Sequence, residues 1–200
     1  MNAPHSLGAR LLGLPGALQR RLAHQRALWQ ARHQSMARIG VIRPRRLLVL
    51  CYGNIYRSPF VAAVLRARLA GQSSFEIRSA GFHHVTARPS PSDYVRLVEG
   101  YHIDLTLHRS RLVTPVDLEW AEAIVIMDRY NWERVRASGA PAQGKIIWLG
   151  AFGPGPIEIE DPYELPPERV RAIVEQMLTA TDGLVQRLTS ITAGGSHVQR

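Results

Sequence analysis

A cysteine and an arginine separated by five residues, Cys51-Tyr52-Gly53-Asn54-Ile55-Tyr56-Arg57, are followed at once by Ser58-Pro59. A loop of that length wraps one turn of backbone around a tetrahedral anion when it ends where a helix begins. Its amide N–H groups converge on the anion, and the helix N-terminus adds partial positive charge. Arg57 supplies a planar fork for two of the anion's oxygens. The same field stabilises a thiolate, which makes Cys51 a nucleophile. Gly53 gives the loop a backbone freedom that side-chain-bearing residues lack. Cys-x5-Arg by itself also fits a cysteine that only ends a buried strand, so the flanking elements decide.

Those elements are legible. Residues 46–50, Arg-Leu-Leu-Val-Leu, form a continuous apolar run rather than an alternating one, which predicts a strand buried on both faces. Ser58 is expected as an N-cap with Pro59 at the first helical position, and the apolar segment 60–69 continues the helix to a stop at Gly71. Further strands are predicted at 75–78, 123–127 and 145–149, with helices at 92–99 and 129–136. A closing helix over 167–188 carries Val170, Val174, Met177, Leu184 and Leu188 at helical spacing. Strands alternating with helices predict an α/β fold: βαβ units, a parallel sheet, and helices on both faces.

The 200 residues, 46% of them apolar, suffice for one core. A single cysteine excludes an intramolecular disulfide and fits a reducing, cytoplasmic setting. The net charge of +9 is unevenly placed. Nine arginines and no acid occur up to Arg46, and the remaining basic residues match the 16 acids in number. The chain therefore divides into a basic extension at 1–45, helical or disordered, a neutral domain at 46–190, and a tail at 191–200. In the extension a break is expected at Leu14-Pro15-Gly16. A helix over 17–38 follows, with Leu18, Leu22, Trp29 and Met36 near one face and Arg21, Arg26 and Arg32 beside it. That pattern suits an anionic membrane surface or a protein partner. It does not suit nucleic acid, for which the segment has few stacking aromatics.

The first acidic residue of the chain is Glu76, so any carboxylate acid lies downstream of Cys51. This excludes any arrangement in which a loop carrying the acid precedes the cysteine. The loop-like stretch 153–163, after the last predicted strand, holds Glu158, Glu160 and Asp161, and it falls where a parallel sheet presents residues to its binding edge.

The blocks Leu-Val-Leu-Cys-x-Gly-Asn-Ile-x-Arg-Ser-Pro at 48–59, Ser79-Ala80-Gly81, His108-Arg109, Ile126-Met127-Asp128 and Asp161-Pro162-Tyr163 together resemble the low-molecular-weight protein tyrosine phosphatases. The bacterial branch associated with exopolysaccharide and capsule export, which opposes tyrosine autokinases, is the most similar. The resemblance implies a three-layer sandwich around a small, mainly four-stranded parallel sheet of flavodoxin-like topology. It implies that Cys51 attacks phosphorus to give a phosphocysteine, that Arg57 and the loop amides hold the equatorial oxygens, and that Asp161 is the general acid. Ser58 would hydrogen-bond the sulfur, Asn54, Ser79 and His108 would brace the loop, and Tyr163 would wall the substrate ring. Burial of Tyr163 as a core anchor stays open. The substrate would be a phosphotyrosine protein, with no metal or cofactor, since the loop and Arg57 supply the positive charge.

Two positions depart from the family pattern. Tyr56 stands where many members carry a second cysteine, so a protective disulfide is not available on oxidation. Tyr52 is bulky for the position after the nucleophile and narrows the pocket mouth. Two other readings compete. An arsenate-reductase-like enzyme needs a relay of cysteines that a chain with only Cys51 lacks. A catalytically silent phosphotyrosine-binding or partner-binding module would not need Cys51, Arg57 and Asp161 together.

Overall fold

In the computed structural model, which describes residues 16–72 and 75–194, the apolar run beside the cysteine is strand β1, Arg46–Cys51. Its side chains alternate between two cores. Leu47, Val49 and Cys51 bury with Phe60, Leu65, Val174 and Met177, while Leu48 and Leu50 bury with Leu118, Ile124, Ile126 and Val135. Both faces are covered, which is why the sequence is apolar at every position rather than every second one.

Strands β2 (Glu76–Gly81), β3 (Ala123–Ile126) and β4 (Ile146–Trp148) complete a parallel four-stranded sheet in the order β2-β1-β3-β4. The helices are α1 (Gly16–Ile42), α2 (Arg57–Arg68), α3 (Ser92–Glu99), α4 (Pro115–Trp120), α5 (Arg129–Ala137), α6 (Ala140–Gln143) and α7 (Pro167–Gly194). Helices α2, α3 and α7 pack on one face and α4, α5 and α6 on the other, giving the expected three layers. The order reverses between β1 and β3, and β1 carries the cysteine at its C-terminal end, the place where open α/β sheets bind ligands.

Three local expectations change. Helix α2 starts at Arg57 with Tyr56 as its N-cap, and no side chain caps it. Pro59 is therefore one residue pair further in than expected, still within the first turn, where its missing N–H is no loss. Strand β2 runs on through Ser79-Ala80-Gly81, pairing Cys51 with Gly81. Helices α4 and α6 were not anticipated. The first opens with a capping box in which Thr114 Oγ1 accepts from Asp117 N and Asp117 Oδ2 accepts from Thr114 N.

The largest difference concerns α1. Three of the four residues of its predicted apolar face point outward, Trp29 being 63% exposed, Leu18 40% and Met36 39%, while Leu22 is half-buried. The buried side instead carries Leu28, Ala31, Ser35 and Ile39, which lie along the free edge of β4. Trp148 N–H donates to Ser35 Oγ at 3.1 Å, and Arg38 Nη1 donates to Ile146 O at 2.6 Å. Arg32 donates to the carbonyls of Ala151, Gly153 and Gly155 at 2.8–3.0 Å. Side chains of the basic helix thus satisfy backbone groups that an edge strand leaves open to other chains. The expected tail at 191–200 begins inside α7, and residues 1–15 and 195–200 lie outside the described residues.

Candidate active site

At the end of β1 the chain turns sharply into α2, and Cys51, 2% exposed, lies at the base of that turn. Asn54 N–H donates to Cys51 Sγ at 3.2 Å, and Ser58 Oγ is 3.0 Å from the same sulfur. Asn54 Nδ2 donates to Ser58 Oγ at 2.9 Å, so the hydroxyl's own proton is left for either the sulfur or Ala80 O, 3.3 Å away. With a thiolate, the proton goes to sulfur. The N–H groups of Ile55, Tyr56, Arg57 and Ser58 have no acceptor among the described residues, which leaves four donors at the helix entrance.

Asn54 is the keystone of the loop. It adopts a left-handed φ of 52°, a conformation asparagine tolerates. Gly53, expected to supply that freedom, has no positive φ; a Cβ there would meet Arg88 Nη2 and Ile55 Cγ1 at 3.4 Å. The side chain of Asn54 also reaches Ser79 Oγ at 3.2 Å and accepts from Arg111 N at 3.0 Å. Its carbonyl is 2.7 Å from His108 Nε2. Ser79 and His108 therefore both touch Asn54. Burial pushes the His108 pKa down, the bond to Asn54 opposes this, and the charges of Arg66 and Arg109 lower it further. Gly81 is required for contact: a Cβ would come within 2.6 Å of Tyr52 O and 2.9 Å of Asn54 N.

Arg57 is 1% exposed and bridges two carboxylates. Nη1 donates to Asp128 Oδ2 at 2.6 Å and to Ile159 O at 2.9 Å, and Nη2 is hydrogen-bonded to Asp161 Oδ2. Burial works against the guanidinium charge, but Cys51, Asp161 and Asp128 together outweigh it and raise the pKa. Its Nε is buried without a partner among the described residues. Of the three candidate acids, only Asp161 meets Arg57. Glu160 pairs with Arg169 at 2.8 Å, and Glu158 accepts from Arg129 N at 2.9 Å.

Sequence reasoning gave no role to Asp128, yet the residue both caps α5, through Asn131 N at 2.8 Å, and holds Arg57. The signal was available: it follows a buried strand and precedes a helix, as Cys51 does. Around the mouth, Tyr52 makes edge contacts with Tyr130 at 5.4 Å and His83 at 5.3 Å, all between ring centroids. Tyr163 is 59% exposed, which rules out the core-anchor alternative. Tyr56 stacks edge-on against buried Tyr94 at 4.8 Å, and Ile55 is buried within the loop. The assembly brings the Cys51 sulfur, four open helix-end N–H groups, a guanidinium and a carboxyl group within reach of one another.

The family model for low molecular weight phosphotyrosine protein phosphatases matches residues 46–192. The chain belongs to this family. The probable low molecular weight protein-tyrosine-phosphatase EpsP of Ralstonia nicotianae is 27% identical over 147 residues, 74% of this chain and 98% of that protein. A protein-arginine-phosphatase of Geobacillus stearothermophilus is 28% identical over 147 residues, 72% of this chain and 97% of its own. Among solved structures, the tyrosine phosphatase Wzb from Escherichia coli K30 in complex with sulphate superimposes with a TM-score of 0.67. It is 26% identical and covers 72% of this chain and 99% of its own. The residues matched by the family model leave α1, Gly16–Ile42, outside.

Proposed function

We propose that the protein hydrolyses phosphotyrosine in proteins through a phosphocysteine. The observation that carries this reading is the convergence on one loop of Cys51 Sγ, the Ser58 hydroxyl, four unpartnered helix-end N–H groups and Arg57. The phosphoryl group enters the cradle, and its oxygens take the place of the Asp161 carboxylate on Arg57. Thiolate Sγ attacks phosphorus as the P–O bond to the ring breaks. Asp161, protonated, gives its proton to the departing phenolic oxygen. The carboxylate then takes a proton from water, whose oxygen attacks phosphorus and breaks the P–S bond. Sulfur leaves as a thiolate stabilised by Ser58 and Asn54 N–H. Asp128 keeps Arg57 in place throughout, and Ser79 and His108 hold Asn54.

Similarity to both tyrosine- and arginine-specific relatives makes the substrate the point to test. Three exposed tyrosines, Tyr52, Tyr130 and Tyr163, favour a planar aromatic substrate at the mouth. Peptides of one sequence carrying phosphotyrosine, phosphoarginine or phosphoserine are compared by phosphate release. The reading expects the largest kcat/KM for phosphotyrosine, and a preference for phosphoarginine overturns it. By likeness to EpsP and Wzb, the substrate is proposed to be a tyrosine autokinase whose phosphorylation governs exopolysaccharide production.

For the organisation of the chain, residues 46–190 are proposed as the catalytic unit, with α1 docked on it as a strut. The outward stripe of Leu18, Trp29 and Met36, beside Arg21 and Arg26, supports contact with an anionic membrane surface. Co-sedimentation with anionic but not zwitterionic vesicles tests this. Retention by a protein partner alone would replace it.

A further inference from the structure

The sequence places more arginine near the anion loop than the loop uses. Arg66 on α2, Arg78 on β2, and Arg109 and Arg111 beyond His108 line one cavity of about 410 Å3, together with Ser79 and His108. Among the described residues the only carboxylate in its wall is Asp117, so three of the four guanidinium charges are not offset within it. Asp117 is committed to Arg111, which binds it through Nη1 at 2.8 Å and Nη2 at 3.0 Å. Arg78 is 4.0 Å from that carboxylate and lies over the Trp120 ring, 3.9 Å from its centroid. Among the described residues Arg66 donates only to Ile77 O, at 2.9 and 3.3 Å, and Arg109 only to Thr106 O and His108 O.

Converging cations of this kind repel one another and cost free energy unless an anion joins them. The repulsion is felt by their neighbour, since Arg66 and Arg109 both add to the lowering of the His108 pKa that burial begins. Burial also lowers the pKa of Arg66 itself. Guanidinium forks match the paired oxygens of phosphoryl groups, and several forks around one cavity match several such groups.

We propose that this cavity is a second anion site, which takes a compact polyanion carrying two or more phosphoryl groups. Two of its wall residues, Ser79 and His108, are the ones that hydrogen-bond Asn54, so the site adjoins the brace of the catalytic loop. The polyanion arrives either as a free oligophosphate or as a second phosphorylated residue on the substrate protein. Only the second source rests on the phosphotyrosine reading.

Binding of inorganic tripolyphosphate to the full chain is measured by calorimetry at low salt, with phenylphosphonate saturating the Cys51 loop. No turnover is needed, so failure here is separable from failure of the phosphatase reading. The wild type is expected to bind, and the double variant Arg78→Gln/Arg109→Gln to bind about a hundredfold more weakly, at about tenfold per charged fork. Its hydrolysis of p-nitrophenyl phosphate stays within about twofold of wild type, as neither residue touches the loop. Arg66→Gln removes a third charge independently and guards against a fold defect in the double variant. The second arm compares kcat/KM for singly and doubly phosphorylated peptides. A preference for the doubly phosphorylated peptide that vanishes in Arg78→Gln/Arg109→Gln identifies the substrate as the source; tripolyphosphate binding without that preference identifies a free oligophosphate. Absence of tripolyphosphate binding by the wild type, or binding by both variants as strong as by the wild type, overturns the proposal.

Discussion

Replacing Ser58 by alanine removes a single oxygen that serves three neighbours. It accepts from Asn54 Nδ2 at 2.9 Å, and its one proton is shared between Cys51 Sγ at 3.0 Å and Ala80 O at 3.3 Å. Asn54 keeps its second partner, Ser79 Oγ, so the loop retains its brace. The main loss falls on the sulfur when it carries charge. A hydrogen bond to a charged group contributes about 1.5–3 kcal/mol. At 1.36 kcal/mol per decade this is a rate reduction of about 10- to 150-fold in any step whose transition state develops a thiolate. Attack by Cys51 starts from a thiolate and consumes it, whereas breakdown of the phosphocysteine creates one. The penalty therefore falls on the second step, and phosphoenzyme accumulates. Stopped-flow release of p-nitrophenol should show a burst approaching one equivalent per active site, followed by a slow steady state. A lower rate with no burst would place Ser58 in the first step, and an unchanged rate would remove it from the chemistry.

Asp161→Ala should reduce turnover of phenyl phosphate by ~10²–10⁴-fold and that of dinitrophenyl phosphate far less, because a good leaving group needs no proton; the same pattern in Glu160→Ala instead would reassign the acid. Stability should fall with pH in two stages. The His108 pKa is lowered on folding, so below about 6.5 the unfolded chain takes up a proton that the folded protein resists. Asp117 is also lowered, because bonds from Arg111 and Thr114 outweigh the burial that by itself would raise it; its stabilisation is present above about 3.9 and is lost as pH falls through its lower folded value. Thermal melts across pH should show His108→Gln flattening the upper stage and Asp117→Asn the lower. Ser35→Ala leaves Trp148 N–H without its acceptor at the covered edge of β4, which should cost about 1–3 kcal/mol in denaturant unfolding. Deleting residues 1–42 should go further and cause association detectable by light scattering, as the edge is opened.

The cysteine loop and the sheet were legible because both rest on local grammar. A fully apolar strand, a short loop and a proline-marked helix start leave few alternatives; the absence of any acid before Glu76 placed the carboxylate acid downstream of Cys51, and only the resemblance of Asp161-Pro162-Tyr163 to the family pattern chose Asp161 over Glu158 and Glu160. What escaped was set by tertiary contact. Ser58 looked like an N-cap because Ser-Pro usually is one, but the bond to sulfur and to Asn54 turns its hydroxyl inward. Gly53 looked like the left-handed residue, and Asn54 takes that role because its side chain is held by Ser58, Ser79 and Arg111. The apolar stripe of α1 misled in the same way. An edge strand offers hydrogen-bonding groups as well as apolar surface, so the helix docks with Ser35, Arg32 and Arg38 and leaves Trp29 outside.

The central claim is that Cys51 bonds to phosphorus during turnover. Rapid-quench mass spectrometry of the Ser58→Ala protein mixed with a phosphotyrosyl peptide tests it directly, since that variant should hold the intermediate. The account predicts a phosphate adduct confined to the peptide containing Cys51, formed with the burst and absent from Cys51→Ser. Turnover without any such adduct, or an adduct on another residue, would contradict it.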